Sequence, residues 1–255
     1  ISQEAFVQAG AVDVIVQAMK QFLNKSKNDR YFQERAISTL SNLAATRSNL
    51  EFLVSQNNDD DDAVGAIVSA MGQYSDEVGI QAKGCKALTN LASHDNSVSI
   101  RIDIMKKGVG EAILFNSMAM HAEDSTIQEL ALTAVRNLCA DCKDNQAEFV
   151  KVGVIDFVLQ AMDRHKEVPG LQEAGAWVIS ILAGNSNDTK IIVGENDGIG
   201  VILQAIEVHS NHAGVVEWSY RALQTLTQDL HNAASCLDNP VGMGVPPAKI
   251  GRAHV

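Results

Sequence analysis

The block FQERAISTLSNLA, Phe32 to Ala44, returns along the chain as IQAKGCKALTNLA (Ile80 to Ala92) and IQELALTAVRNLC (Ile127 to Cys139). Weaker copies follow as LQEAGAWVISILA (Leu171 to Ala183) and VVEWSYRALQTLT (Val215 to Thr227). The closing leucines Leu43, Leu91, Leu138, Leu182 and Leu226 stand 48, 47, 44 and 44 residues apart. A period of this length, filled with helical pattern, restricts the chain to an all-α solenoid. Each unit leaves an apolar face that its neighbours must cover.

The spacing inside the block explains its face. Let position 0 be the residue before each closing leucine: Asn42, Asn90, Asn137, Ile181 and Thr225. Position −10 then holds Phe32, Ile80, Ile127, Leu171 and Val215, and position −2 holds Leu40, Leu88, Val135, Ile179 and Leu223. With the leucines at +1, these lie on one face of a 3.6-residue helix and are assigned to the core. Position −6 is small throughout (Ala36, Gly84, Ala131, Gly175, Ser219), as a close helix crossing requires.

A second helix precedes each block, as AVDVIVQAM from Ala11, AVGAIVSAM from Ala63, GVIDFVLQAM from Gly153 and GIGVILQAI from Gly198. Its last apolar residue is Met19, Met71, Met118, Met162 or Ile206, and three residues on stand Phe22, Tyr74, His121, His165 and His209. Glycine or acidic residues before these helices fit stop and N-cap chemistry. A shorter apolar segment, such as LEFLV at Leu50 or AEFVKVG at Ala147, completes a unit of three helices. Residues 2–9 read as the end of such a helix.

Composition narrows the function. The chain has 255 residues, 46% of them hydrophobic, a net charge of −11 and only four prolines. An acidic balance disfavours a nucleic-acid partner, whose phosphates need excess cation. No apolar run reaches the roughly 20 residues of a membrane helix. The four cysteines, Cys85, Cys139, Cys142 and Cys236, form no disulfide framework, so reduced thiols and a cytoplasmic or nuclear location are expected. Two stretches break the period. QNNDDDD, residues 56–62, reads as a solvated loop or as negative charge at a helix N-terminus. It lacks the alternating ligands and the glycine of a calcium loop. An irregular tail is expected over 232–249, where glycine, proline and asparagine dominate. The final IGRAHV, residues 250–255, matches the translation of a common sequencing-adapter string and is excluded from fold reasoning.

The combined pattern G-x-[VI]-x-x-[VI]-[VL]-x-[AS]-M and [VIFL]-Q-E-x-A-x-x-[AT]-L-x-N-L-A, in register over residues 1–231, resembles the armadillo repeat family. The resemblance implies a right-handed solenoid of about five three-helix repeats, the first one truncated. It also implies that third helices line a concave groove in which position 0 Asn holds the main chain of an extended peptide. An Asn amide both donates and accepts, as a peptide unit demands.

Catalytic and metal constellations are weak. Ser93-His94-Asp95 are merely adjacent in sequence, whereas a triad is assembled in space. Cys139 and Cys142 form a lone C-x-x-C, His209 and His212 an H-x-x-H without a third ligand, and no glycine-rich phosphate loop exists. His121, His165 and His209 recur once per repeat, about 10 Å apart, too far to share a metal; with Phe22 and Tyr74 they read as flat side chains packing between repeats. No catalytic residue, metal or cofactor is assigned.

The polar face of the third helix is more informative. Position −7 holds Arg35, Lys83, Leu130, Ala174 and Trp218; position −4 holds Ser38, Lys86, Thr133, Trp177 and Arg221. Together with Asn42, Asn90, Asn137 and Arg136 these are the candidate groove residues. For the asparagines two readings stand, peptide binding or tying down the loop that follows the helix. An importin-α-like groove would pair Trp at −4 with Asn at 0, and no repeat has both. A β-catenin-like groove is basic, and Arg35, Lys83, Lys86, Arg136 and Arg221 fit it. The expectation is a non-catalytic scaffold for an extended acidic or mixed-charge peptide, with Trp177 and Trp218 as apolar anchors and neither nucleic acid nor membrane as partner. The alternatives are a solvated charged face, an importin-like cargo adaptor, or the helical regulatory arm of a larger kinase, GTPase or ubiquitin ligase.

Overall fold

Each recurrent block forms one helix, and the helices fall into triplets. The computed structural model describes residues 3–23, 26–54, 62–93 and 98–238, with side chains to residue 228. Repeat 1 comprises α1 (Gln3–Gln8), α2 (Ala11–Gln21) and α3 (Lys27–Ala44). Repeat 2 enters through a 3-10 turn into α4 (Leu50–Leu53), then α5 (Ala63–Gln73) and α6 (Val78–Ala92). Repeat 3 has α7 (Val98–Met105), α8 (Val109–Glu111) running on as a π-helix over Ala112–Ala119, and α9 (Ser125–Cys139). Repeat 4 has α10 (Lys143–Lys151), α11 (Val154–Arg164) and α12 (Pro169–Asn185); repeat 5 has α13 (Asn187–Glu195), α14 (Gly198–Val208) and α15 (Ala213–Asp238). Among the described residues there is no strand.

The third helices stack in order, α3 on α6 on α9 on α12 on α15, and the second helices form a parallel layer behind them. Leu40, Leu88, Val135 and Ile179 at −2 are buried, as are Leu43, Leu91, Leu138 and Leu182 at +1. The small residue at −6 receives the methionine that ends the second helix. A Cβ on Gly84 would meet Met71 Cγ at 2.7 Å, and one on Gly175 would meet Met162 Cγ at 2.7 Å. This is the close crossing that the sequence predicts.

The turn into the second helix is left-handed at Gly10, Gly108 and Gly153, with φ of 83°, 75° and 83°. Glycine adopts that conformation without a Cβ clash. Repeat 2 uses Asp62 instead, whose carboxylate caps α5 by accepting from Gly65 N at 2.8 Å. The same carboxylate lies 3.4 Å from the buried Lys107 ammonium. Asp62 is thus the acidic N-cap that the run QNNDDDD suggests; residues 55–61 lie outside the described residues.

Two differences from the sequence reading concern helices. From Gly108 to Met118 there are ten steps, whereas Gly10–Met19, Asp62–Met71, Gly153–Met162 and Asp197–Ile206 each take nine. The extra residue is absorbed as the π-helix, the usual outcome of a one-residue insertion within a helix whose ends are fixed. The last helix also continues to Asp238, past residue 232, where the irregular tail was expected to start. Residues 239–255, IGRAHV included, lie outside the described residues.

Candidate binding face

Because the third helices stack in register, positions −7, −4 and 0 form rows across the repeats. At position 0, Asn42 is exposed while Asn90 and Asn137 are half-buried. Asn90 Nδ2 donates to the Ser41 carbonyl at 3.0 Å and to Ser41 Oγ at 3.1 Å. Asn137 Nδ2 donates to the Thr89 carbonyl at 3.3 Å. Each amide therefore spans to the preceding third helix rather than to the following loop. Among the described residues no donor reaches Oδ1 of either asparagine.

The cations divide into committed and uncommitted. Lys83 is ion-paired with Glu34 of the preceding repeat, and Arg221 Nη2 lies 2.8 Å from Glu217 Oε1. Arg35 donates to the Tyr31 hydroxyl at 2.6 Å and stacks on its ring at 5.0 Å. Among the described residues, Lys86 and Arg136 have no carboxylate partner. Ser38 and Thr133 turn their hydroxyls onto their own helix, donating to the carbonyls of Glu34 (2.9 Å) and Glu129 (2.8 Å). Trp177 and Trp218 meet edge-on at 5.6 Å, with the Arg221 guanidinium 4.7 Å from the Trp218 ring centre. Positions −7 and −4 of adjacent repeats thus build one aromatic cluster at the repeat 4–5 end, with Leu130 and Ala174 as its apolar neighbours in the −7 row.

Sequence reasoning missed a row of acids beside this face. Position −8 holds Glu34, Glu129, Glu173 and Glu217, with Ala82 in repeat 2. Each of the first three lies over position −11 at the start of the next third helix: Glu34 over Gly79, Glu129 over Gly170 and Glu173 over Gly214. A Cβ on Gly79 would stand 2.9 Å from Glu34 Oε1, so the carboxylate lies in the space that glycine leaves open. Where the acid is absent, at Ala82, the facing residue is Thr126. These carboxylates sit at the positive end of the helix dipole.

It also missed the glutamine at −9. Gln81 Nε2 donates to the Met71 and Tyr74 carbonyls (2.8 and 3.0 Å), and Gln128 to those of Met118 and His121 (both 2.9 Å). Gln33 and Gln172 do the same in repeats 1 and 4. One amide thereby satisfies two carbonyls left open at the end of the second helix in repeats 1 to 4. The signal was present in the Q-E of the repeat motif, but its partners lie in another helix.

The remaining candidates resolve into structural roles. His121, His165 and His209 place Nε2 2.7–2.8 Å from the carbonyls of Ser75, Ala122 and Lys166 in the preceding repeat. They are staples between repeats, which extends the packing role expected of them. His212 Nδ1 accepts from Val215 N at 3.3 Å at the start of α15, so the H-x-x-H pair is divided between two tasks. Cys85, Cys139 and Cys142 are buried free thiols. Burial pushes the Cys85 thiol up to about 11 and Cys139 higher still, so both stay protonated at neutral pH. Among the described residues no His, Cys, Asp or Glu cluster could hold a metal, and no helix is long and apolar enough to cross a membrane. His94 and Asp95 lie outside the described residues.

A stack of three-helix units with a polar ladder along the third helices defines an armadillo-type solenoid. The profile of the LRRK2 ARM repeat matches residues 2–243, and the chain belongs to this family. It is 26% identical over 173 residues to protein aardvark of Dictyostelium discoideum, covering 65% of this chain and 22% of that protein. It is 25% identical to Rap1 GTPase-GDP dissociation stimulator 1-A of Xenopus laevis, covering 86% of this chain and 35% of that one. The chain thus spans about a fifth to a third of these relatives' length. A designed armadillo repeat protein in complex with the peptide (KR)4 superposes with a TM-score of 0.66 at 14% identity, covering 88% of this chain and 85% of that one. An engineered protein superposes at 0.64 and 20% identity, covering 89% and 83%.

Proposed function

We propose that this chain is a non-catalytic protein-binding scaffold that holds an extended peptide along the concave face of its third helices. The ligand is acidic or mixed in charge. The observation that carries this reading is the asymmetry of the face. Glu34 and Glu217 are ion-paired with Lys83 and Arg221 and Glu129 and Glu173 lie over the starts of the next third helices, whereas among the described residues Lys86 and Arg136 have no carboxylate partner. A basic segment would compete with the ion pairs of Glu34 and Glu217, whereas an acidic one meets Lys86 and Arg136. Asn42, Asn90 and Asn137 hold the peptide backbone, and the Trp177–Trp218 cluster accepts an apolar side chain at one end.

The test is binding of fluorescent extended peptides of acidic, mixed and basic composition to the chain and to the triple variant Asn42→Ala, Asn90→Ala, Asn137→Ala, with circular dichroism confirming that both fold. Acidic or mixed peptides should bind and lose at least tenfold in affinity with the triple variant. Preference for basic peptides, or binding indifferent to the three substitutions, would overturn the assignment. A second reading, a regulatory arm of a longer multidomain protein, is favoured by the family match and by relatives of which the matched stretch makes up only 22% and 35%. Binding in the groove is compatible with it.

A further inference from the structure

Lys86 and Arg136 stand on adjacent, directly stacked helices, α6 and α9, and the sequence explains why neither is paired along its own helix. Repeat 5 carries an acid at −8 and a cation at −4, and Glu217 and Arg221 form an i,i+4 ion pair there. Repeat 2 keeps the cation, Lys86, but has Ala82 at −8, so the corresponding carboxylate is missing. The residues three and four positions from Arg136 are Leu132, Thr133, Cys139 and Ala140, none of them acidic. Such spacings are where a helix pairs its own charges. The other three junctions each hold an acid over the start of the next third helix, Glu34, Glu129 and Glu173. Positive charge on this face is therefore concentrated between repeats 2 and 3.

The opposite character stands two junctions along. Trp177 and Trp218 bridge repeats 4 and 5 at 5.6 Å, half-buried against the core. Stacked helix axes lie about 10 Å apart, so two steps span about 20 Å. An extended chain rising roughly 3.3 Å per residue covers that distance in about six residues. We propose, resting on the reading of this face as a peptide groove, that its ligand is bipartite. One acidic side chain sits between Lys86 and Arg136, one large apolar side chain sits on the Trp177–Trp218 pair, and about six residues separate them. Ala82 sets the acidic subsite by leaving Lys86 free of an i−4 partner. Either feature alone engages one subsite; both engage only when the chain between them spans the two junctions.

The probes are extended serine- and threonine-rich peptides that carry a glutamate pair and a leucine separated by about three, six or nine residues, each made in both orders. Fluorescence anisotropy of labelled peptides reads affinity. The chain has two tryptophans, Trp177 and Trp218, so intrinsic emission with unlabelled peptides reads the apolar subsite alone. The middle spacing should bind about tenfold tighter than the other two in one of the orders, and shift that emission. Ala82→Glu restores the acid found at −8 in the other four repeats and should keep the thermal midpoint. It should cost the best peptide about tenfold and leave its glutamine-for-glutamate version unchanged; Lys86→Ala should act in the same direction. Affinity independent of spacing, or unaltered by both substitutions, would overturn the inference. The groove reading would survive that result if Asn42→Ala, Asn90→Ala and Asn137→Ala together still abolished binding. Peptides that do not bind at all, or that bind the triple variant equally well, would overturn both.

Discussion

Gln128 shows how one side chain serves two helices. Its amide satisfies the Met118 and His121 carbonyls at the end of one helix from a position in the next. Gln128→Ala leaves both carbonyls without that donor and should cost about 1–3 kcal/mol, read from the urea midpoint. Repeat 5 has Val216 at this position, so Val216→Gln should stabilise the chain by about 0.5–1.5 kcal/mol in the same assay. A thiol supplies a second prediction. Burial raises Cys85 from its ordinary value of 9.0 to about 11, with Ser117 opposing the shift. The folded value lies above the unfolded one, so its contribution is complete below pH 9 and lost as pH rises through about 11. The stability gap between wild type and Cys85→Ala should therefore narrow across that interval. At this scale the sequence showed recurrence without role: the glutamines, histidines and asparagines were all visible in register. Their partners were not, because each bonds a carbonyl 7 to 49 residues away.

Between elements, size decides. Met71 and Met162 fill the space that Gly84 and Gly175 leave, so Gly175→Val should force the α11–α12 crossing apart and cost about 1–3 kcal/mol by thermal melting. An unchanged midpoint would mean that the crossing is looser than its distances imply. Small residues at −6 were legible because they recur on an apolar face, and the three-helix unit followed from glycine breaks and apolar stripes. The glycines at −11 were not legible in the same way. They stand on the polar side, where composition is permissive, and what they face is a carboxylate on another repeat. The π-helix was hidden for a different reason: aligning Met118 with Met162 conceals the count of ten steps against nine.

For the whole molecule the period alone fixed the architecture, since units of 44–48 residues with one apolar helix face can be buried only by stacking. Charge totals were less instructive: the net charge of −11 says little about a face on which, among the described residues, acids lie over helix starts or in ion pairs and Lys86 and Arg136 have no carboxylate partner. Stability should follow the same one-dimensional logic. Repeats 2–4 have neighbours on both sides, so amides of α6, α9 and α12 should exchange with solvent most slowly, and those of α1, α2 and α14 fastest. Uniform protection along the chain would contradict this. The π-helix of repeat 3 has a corresponding consequence. In a compact domain an added residue displaces elements that many distant segments touch. Here the next two leucine steps are 44 residues each and the Gln172 tie is intact. The disturbance is confined to the unit where it arose, so an array of this kind can change length one residue at a time and leave the work of its other repeats untouched.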